Sequence, residues 1–314
     1  MLSTPSFQFS LPDFQYAFLS ILLEGIPFLL GGAILSGILE EFLPRTLMTR
    51  LLPRNPRSAV LVSGLLGVIL PVCECGIVPV VRRLLKKGLP VSCGVTYMLA
   101  APIVNPLVLL STLAAFRGQA AWEMTSLRFA LGLSVAVLAG WITGMVAPFE
   151  ILRPGILGPG GDDDEGHHRH HSGSGGGFPD RLRNAADVAV RDFLDVFVFF
   201  ALGAAAASLF STAVNQEIIL PLASNLPLSI ASLMGLATVL SVCSTTDAFI
   251  AATFTTFPMA AKLAFLVFGP MVDFKLLFLY GAAFSKRFVL FLSIGLFLVI
   301  GLLCWRLGTL QLGW

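Results

Sequence analysis

Two short stretches of the sequence combine thiols with carboxylates inside otherwise apolar segments. The first, PVCECG at 71–76, places Glu74 between Cys73 and Cys75. The second, CSTTD at 243–247, begins with Cys243 and ends with Asp247. Thiolates together with carboxylates suit Zn²⁺, and thiolates alone suit softer thiophilic ions or trivalent arsenic-type species. The residue types therefore predict a metal or metalloid site without choosing among these ions.

Other polar residues also interrupt the apolar segments. An acidic side chain near the middle of a bilayer costs about 2.5 to 3.5 kcal/mol on insertion scales, so it needs a partner or water. Asp273 is such a residue, and an ion pair to Lys275 is the structural alternative, although residues two apart on a helix do not face each other. Asn105 lies in APIVNP, where two prolines remove backbone donors, and the alternative is an amide that caps a proline kink. The predicted substrate-binding set is Cys73, Glu74, Cys75, Asn105, Cys243, Asp247 and Asp273.

Two acidic residues and a histidine cluster are candidates for other roles. Glu24 and Asp195 each stand eight residues before a glycine, a matched placement that suggests proton coupling. They lie nearer the ends of their segments, where snorkelling to the interface is the alternative. All 4 histidines lie in one short tract beside four acidic residues, which is interpreted as a metal collector or as a solvated linker. These residues are His167, His168, His170 and His171.

The elements that must hold these residues are membrane helices. Of the 314 residues, 56% are hydrophobic and 12% are charged, against about 25% charged in a soluble domain, which excludes a water-soluble core. About 20 apolar residues suffice for one helical crossing of a bilayer. The sequence therefore predicts an all-α polytopic membrane protein with about eight hydrophobic segments. They lie at 16–39, 59–81, 89–113, 127–147, 192–212, 227–257, 260–283 and 288–306.

A stretch rich in Gly, Pro and charge divides the chain into two hydrophobic halves. The predicted domains are a first membrane repeat at 1–150, a flexible His/Asp/Gly-rich loop at 151–186 and a second membrane repeat at 187–314. Matched features of the two halves stand at offsets of 171, 170, 168 and 168, which indicates internal duplication. The matched pairs are Glu24 with Asp195, Cys73 with Cys243, Pro102 with Pro270, and Asn105 with Asp273.

The distribution of basic residues predicts how the halves are oriented. If 59–81 and 227–257 cross straight through, Lys and Arg divide 8 to 10 between the two sides. If each is a re-entrant hairpin, they divide 14 to 4, as the positive-inside rule requires. Each half then has three transmembrane helices plus one broken or re-entrant hairpin, so the second repeat is inverted and the central loop is cytoplasmic. The minor side holds Arg117, Arg128, Lys262 and Arg306.

Several stretches also resemble a known family. PVCECGIVPVVRRLLKKGLP, MLAAPIVNPLVLLST, CSTTDAFIAATF and LAFLVFGPMVDFKLLF are similar to the bacterial predicted-permease family that includes organoarsenical efflux permeases. Glu74 between the two cysteines, together with APIVNP, resembles a branch linked to zinc homeostasis. The resemblance implies a permease of the bacterial inner membrane, either an efflux protein or a zinc-associated one. For the zinc-linked branch, it also implies a separately encoded second membrane subunit.

The sequence thus predicts a permease, and not an enzyme, for a thiophilic metal or metalloid ion such as Zn²⁺ or a trivalent arsenical. Paired interrupted segments in two halves point to a binding site at the membrane midplane. No phosphate-binding loop is present, so alternating access driven by an ion gradient is expected. No cofactor and no nucleic-acid partner are predicted. The alternative is a membrane thiol-disulfide oxidoreductase that uses Cys73 and Cys75 as a redox pair.

Overall fold

A computed structural model describes residues 11–42, 53, 55–70, 72–145, 151–152, 178–213 and 225–310. This part of the chain is helical, and its only strand-like pairing is an isolated bridge between Leu152 and Phe284. The all-helical fold is therefore confirmed. The predicted histidine collector at 167–171 lies outside the described residues, as does most of the predicted central loop.

The helices form two series with the same order of long and short members. The first series is α1 (Leu11–Phe42), α2 (Pro56–Ile69), α3 (Ile77–Lys86), α4 (Val91–Val104), α5 (Pro106–Ala115) and α6 (Ala121–Thr143). The second is α7 (Phe178–Ala213), α8 (Leu226–Leu240), α9 (Thr246–Thr253), α10 (Met259–Phe268), α11 (Phe274–Tyr280) and α12 (Lys286–Thr309). Helix α7 begins at Phe178, so residues 178–186, which the sequence suggested to be loop, are helical.

Five helical stretches of the described chain are long and apolar enough to cross a membrane. They are Leu11–Phe42, Val91–Ala115, Ala121–Thr143, Arg181–Phe210 and Lys286–Thr309. The other three predicted segments, 59–81, 227–257 and 260–283, are each divided into two shorter helices. Hydropathy alone merges such pairs, because the polar residues at a break are too few to interrupt an apolar run.

The long helices α1 and α7 pack against each other in opposite directions. Gly25 lies against the ring of Phe200, and Ser36, further along α1, hydrogen-bonds Asp192, earlier in α7. At the far end of α1, Arg181 of α7 reaches Glu41, with 3.3 Å between its Nε and Oε1. A glycine at a helix interface lets two backbones approach closely, which is the usual packing device between membrane helices.

Within each half, three helices pack in the same arrangement. Gly64 and Gly67 of α2 lie against successive turns of α4, so α2 and α4 are parallel. Gly140, near the end of α6, packs against the start of α4, so α6 runs antiparallel to α4. In the second half, Gly308 of α12 lies against Leu226 at the start of α8, which makes α8 and α12 antiparallel. Helix α10 packs on both α8 and α12. In each half, the middle helix of the three therefore packs on the other two.

Helix α3 reverses the direction of α2. After α3 the chain turns at Gly88, whose φ of 100° is a left-handed conformation that glycine adopts without strain, and α4 starts beside the end of α3. Since α4 is parallel to α2 and doubles back along α3, α2 and α3 run in opposite directions. Ser36 of α1 donates to the carbonyl of Pro79, and Lys87 donates to that of Glu40, so α3 runs parallel to α1.

Candidate substrate site at the paired helix breaks

The first break separates α2 from α3 and exposes backbone groups that the structure satisfies with side chains. Helix α2 ends at Ile69, and the carbonyl of Leu70 accepts a hydrogen bond from the Tyr97 hydroxyl at 3.3 Å. Ile77, the first residue of α3, donates its N–H to the carbonyl of Cys73 at 3.2 Å. Backbone outside a helix is tolerated at membrane depth only when such groups are paired or face a cavity.

The second break separates α8 from α9 and is held by charged side chains. Ser241 adopts a left-handed conformation with φ 47°, and its carbonyl accepts a hydrogen bond from Lys275 Nζ at 3.1 Å. The carbonyl of Ser244 accepts from Arg128 Nη2 at 3.0 Å. The N–H of Asp247 donates to the carbonyl of Cys243 at 2.9 Å, which closes the turn into α9. Distant helices therefore supply the donors that fix this break.

The two breaks meet directly in the protein interior. Ser244 Oγ donates to Glu74 Oε2 at 2.7 Å across 170 residues of sequence. Glu74 is 1% exposed, so its carboxylate is removed from solvent. Burial of an unpaired carboxylate is costly, and here the Ser244 hydroxyl and the Lys275 ammonium supply the partners that offset this cost for Glu74.

Lys275 connects Glu74 with Asp273. Its Nζ lies 3.5 Å from Glu74 Oε1 and 3.6 Å from Asp273 Oδ2, and the lysine is 4% exposed. Residues two apart on a helix do not face each other, which argued against pairing Asp273 with Lys275. That argument does not apply here, because Asp273 is the extended N-cap of α11 and lies outside the helix.

A recess beside this contact contains all three cysteines predicted as ligands. Its lining combines residues of α1 with residues of both breaks and Lys275. They are Ile21, Glu24, Gly25, Phe28, Cys73, Glu74, Cys75, Ser241, Cys243 and Lys275. Cys73 and Cys243 are half-buried and Cys75 is buried, and none of the three forms a disulfide. The two breaks thus place thiols from both halves around one space.

The arrangement does not form a closed metal site. Across the described residues, no group of three or more His, Cys, Asp and Glu side chains lies close enough to hold a metal ion. Both carboxylate oxygens of Glu74 already have partners, Oε2 with the Ser244 hydroxyl and Oε1 with the Lys275 ammonium. Binding of an ion by these thiols therefore requires the two breaks to approach more closely than they do here.

Four other predicted residues lie outside the recess. Asn105 and Asp273 stand at equivalent places as N-caps, Asn105 accepting from the N–H of Leu107 at 3.0 Å and Asp273 from that of Leu276. Such side chains satisfy one of the free N–H groups at a helix start. Asp247 is buried in the first turn of α9, and Asp195 Oδ2 lies 3.8 Å from Arg82 Nη2 of α3. Of the predicted proton-coupling pair, only Glu24 reaches the recess.

Arg128 donates to the second break, although the count of basic residues had assigned it to the outer side of the membrane. Its guanidinium is fully buried and donates to Thr112 Oγ1 at 2.7 Å as well as to the second break. Lys262, counted on the same side, is also buried, at 4% exposed. Both lie inside apolar runs, and that position is the sequence signal that could have identified them.

Comparison with known proteins assigns the chain to a family. The model of a family described as "Predicted permease" matches residues 10–305. The chain belongs to this permease family. It is 43% identical over 276 residues to the UPF0718 protein YcgR of Bacillus subtilis, covering 88% of this chain and 90% of that protein. It is 34% identical over 295 residues to a protein of Streptococcus mutans named "Putative two-component membrane permease complex subunit", covering 94% of each.

No solved structure matches the permease at a significant level. The family assignment and the five apolar helices of the described chain together support a multi-pass membrane permease.

Proposed function

We propose that this permease moves a thiophilic metal or metalloid ion, of the Zn²⁺ or trivalent arsenical type, through the recess between the two breaks. The proposal rests on Cys73, Cys75 and Cys243, which come from both halves of the chain and line one recess. Three thiols are the donor set that thiophilic ions prefer. Glu24, exposed on α1 at the edge of the same space, offers a carboxylate oxygen for an ion such as Zn²⁺.

The two series of helices are proposed to be inverted repeats related by a two-fold axis through the breaks. Glu74 and Ser244 occupy equivalent positions, at the same offset of 170 as Cys73 and Cys243, and they hydrogen-bond each other. Contacts between equivalent residues are typical of positions next to a two-fold axis. The opposite directions of α1 and α7 support the same relation, because equivalent helices of inverted repeats must be antiparallel.

Alternating access follows from this arrangement as a rocking of one half against the other. Where α1 and α3 end, ionic contacts hold these helices and α7 together: Arg83 donates to Asp192 at 2.9 Å, and its Nη1 lies 3.6 Å from Glu40 Oε2. Rocking would break these contacts, open that end and bring the thiols together. An ion gradient is the proposed energy source, with Glu24 and Asp195 as candidates for proton coupling.

The permease is proposed to lie in the bacterial plasma (inner) membrane with its central loop in the cytoplasm, because this topology collects most basic residues on the inside. Side-specific labelling of one tag at the Lys87–Gly88 turn and one in the predicted central loop at 154–177 tests this topology, since both tags must react from the cytoplasmic side. The histidine tract at 167–171 remains a candidate metal collector in that loop. Deletion of the tract is expected to lower flux at low ion concentration and not at saturation.

A second, separately encoded membrane subunit is proposed as partner. The Streptococcus mutans relative is named as one subunit of a two-component permease complex. The outward face of α1 offers a docking surface, because it exposes the carboxylate of Glu24 among large apolar side chains such as Leu23 and Phe28. A partner helix with a basic or hydroxyl side chain at that depth would satisfy Glu24. Co-purification of a second membrane subunit with the wild type, and its loss in Glu24→Leu, would support this assembly.

Flux measurements in proteoliposomes test the proposed substrate. The wild type, Cys73→Ser and Cys243→Ser are compared for transport of Zn²⁺ and of a trivalent arsenical, with Cys304→Ser as matched control because Cys304 is buried away from the recess in α12. We expect both recess variants to lose at least tenfold in flux and the control to keep it. Equal flux in all four proteins would refute the site.

Thiol trapping distinguishes the permease from an oxidoreductase. All five cysteines are free, and a redox relay needs a second accessible pair, which Cys243 alone does not provide. A Cys73–Cys75 disulfide that forms and disappears with activity would support the oxidoreductase. Thiols that stay reduced and are protected by added Zn²⁺ would support the permease.

A further inference from the structure

Four short helices begin in the middle of the bundle and lead in pairs to its two ends. Helix α3 leads to the turn at Gly88, beside the start of α4 and the end of α6. Helix α11 leads to Ser285, whose N–H donates to the carbonyl of Ile151, shortly after α6, at 2.8 Å. Helix α5 leads to Ala120 at the start of α6, and α9 leads to Pro258 at the start of α10, beside the end of α12. We call these two ends of the bundle the α3 end and the α5 end.

The antiparallel pair α1–α7 packs on α3 and α11 rather than on α5 and α9. A Cβ on Gly32 of α1 would overlap the backbone of the first break, directly before α3, and one on Gly203 of α7 would lie 2.8 Å from Lys275 Cα in α11. The rings of Phe210 in α7 and Phe274 in α11 stack with 4.5 Å between their centroids. Across the described residues, neither α5 nor α9 packs on the pair to a comparable extent. The pair therefore closes the bundle at the α3 end and leaves α5 and α9 uncovered.

The uncovered faces are the repeat equivalents of the covered ones. Lys275 in α11 is 4% exposed, whereas Leu107 in α5, its equivalent at the offset of 168, is 64% exposed. Pro79 in α3 is buried, whereas Phe249 in α9, its equivalent at the offset of 170, is 52% exposed. Lipid chains are as apolar as Leu and Phe side chains. A helix face can therefore lie against lipid in one state and against another helix in a second state at little hydrophobic cost.

We infer that the permease has a second state in which the α1–α7 pair leaves α3 and α11 and packs on α5 and α9. The inference rests on the inverted repeats and alternating access of the proposed function, because each of two inverted halves can adopt the packing of the other. Ser36 of α1 now contacts α3, and its equivalent in α7 is Ala207. Exchanging the contacts of the halves places Gly32 on Leu107 of α5, and Ala207 on Phe249 of α9. The second state is thus closed at the α5 end and open at the α3 end.

Ionic contacts at the α3 end favour the present state over the second one. Arg83 of α3 donates to Asp192 of α7 at 2.9 Å, and its Nη1 lies 3.6 Å from Glu40 Oε2 of α1. The equivalent of Arg83 in α9 is Thr253, and that of Asp192 in α1 is Ile21, so the second state has no counterpart of this ion pair. Removal of the Arg83 guanidinium should therefore shift the population towards the second state.

Thiol cross-linking in lipid vesicles measures both states in one full-length chain whose 5 native cysteines are replaced by alanine. Phe210→Cys with Phe274→Cys joins α7 to α11 and reports the present state. Ala207→Cys with Phe249→Cys joins α7 to α9 and reports the second state. Val198→Cys with Phe249→Cys is the control pair, because Val198 is exposed and lies nine residues from Ala207, on the opposite face of α7.

We expect the α7–α11 pair to cross-link readily, which also shows that the alanine background is folded. Arg83→Gln should raise the α7–α9 yield by about threefold or more and lower the α7–α11 yield. Lys86→Gln, which removes an exposed cation of the same helix, should leave both yields unchanged. Absence of the α7–α9 cross-link with and without Arg83→Gln would overturn the inference, as would an equal yield from the control pair. An equal shift in Lys86→Gln would overturn the role of Arg83.

Flux measurements separate this inference from the proposed substrate. Absence of Zn²⁺ and arsenical flux, with both cross-links present, would refute the substrate and leave the two states standing. Normal flux in the wild type, with the α7–α9 cross-link absent, would overturn the second state and leave the substrate standing.

Discussion

Replacement of Lys275 by methionine tests whether the buried ionic cluster holds the two breaks together. The ammonium lies 3.5 Å from Glu74 and 3.6 Å from Asp273. At an effective dielectric constant of about 20, each pair corresponds to a Coulomb attraction of about 5 kcal/mol, which the desolvation of the lysine partly offsets. Removing one partner of a buried pair leaves uncompensated charge, so Lys275→Met is expected to destabilise the protein by about 3 to 5 kcal/mol.

Chaotrope unfolding in detergent micelles, followed by circular dichroism, measures this loss of stability. Lys286→Met is the matched control, because Lys286 is exposed at the start of α12. A Lys275→Met protein that stays within about 1 kcal/mol of the wild type at neutral pH would refute the reasoning.

Three other predictions concern packing, accessibility and the ionic contacts at the end of the bundle. Gly32→Ala should lower thermal stability by about 1 to 3 kcal/mol, because its Cβ would overlap the backbone of the first break, whereas Gly31→Ala, with open space around it, should not; equal effects would contradict this. Cys73 and Cys243 should react with a small maleimide in the folded protein and the three buried cysteines only after unfolding, as mass spectrometry can show. Asp192→Asn should cost about 1 to 3 kcal/mol in the same unfolding assay, because it loses its charged hydrogen bonds to Arg83, and no change would mean that these contacts are only superficial.

The sequence was most informative where the physical signal is local. Long apolar runs predicted membrane helices, and the polar residues at 71–76 and 243–247 predicted where two of those runs break. Matched spacing predicted a duplication, and the two helix series agree with it in order and length. The thiols of the recess were also identified from their residue types and from their place at the breaks.

The partners of the buried charged residues could not be predicted from such local sequence signals. The positive-inside count assigned Arg128 to the side with few basic residues, because a topology rule counts residues by side and does not consider which helix face they occupy. The helix spacing rule argued against pairing Asp273 with Lys275, although the extended conformation of Asp273 brings the two within ion-pair distance. Hydropathy also merged α10 and α11 into one predicted segment, 260–283, because too few polar residues separate the two helices.

The sequence by itself determined that this protein is helical, lies in a membrane and carries thiols at two matched breaks, since hydropathy and residue type act over neighbouring positions. Only the tertiary structure decided that Ser244 bonds Glu74, that Lys275 is shared between two acids, and that Asp247 lies apart from the recess with an unpaired oxygen. These outcomes depend on which helices pack together in a medium of low dielectric constant. There, the distance between groups far apart in sequence decides whether a charged group has a partner.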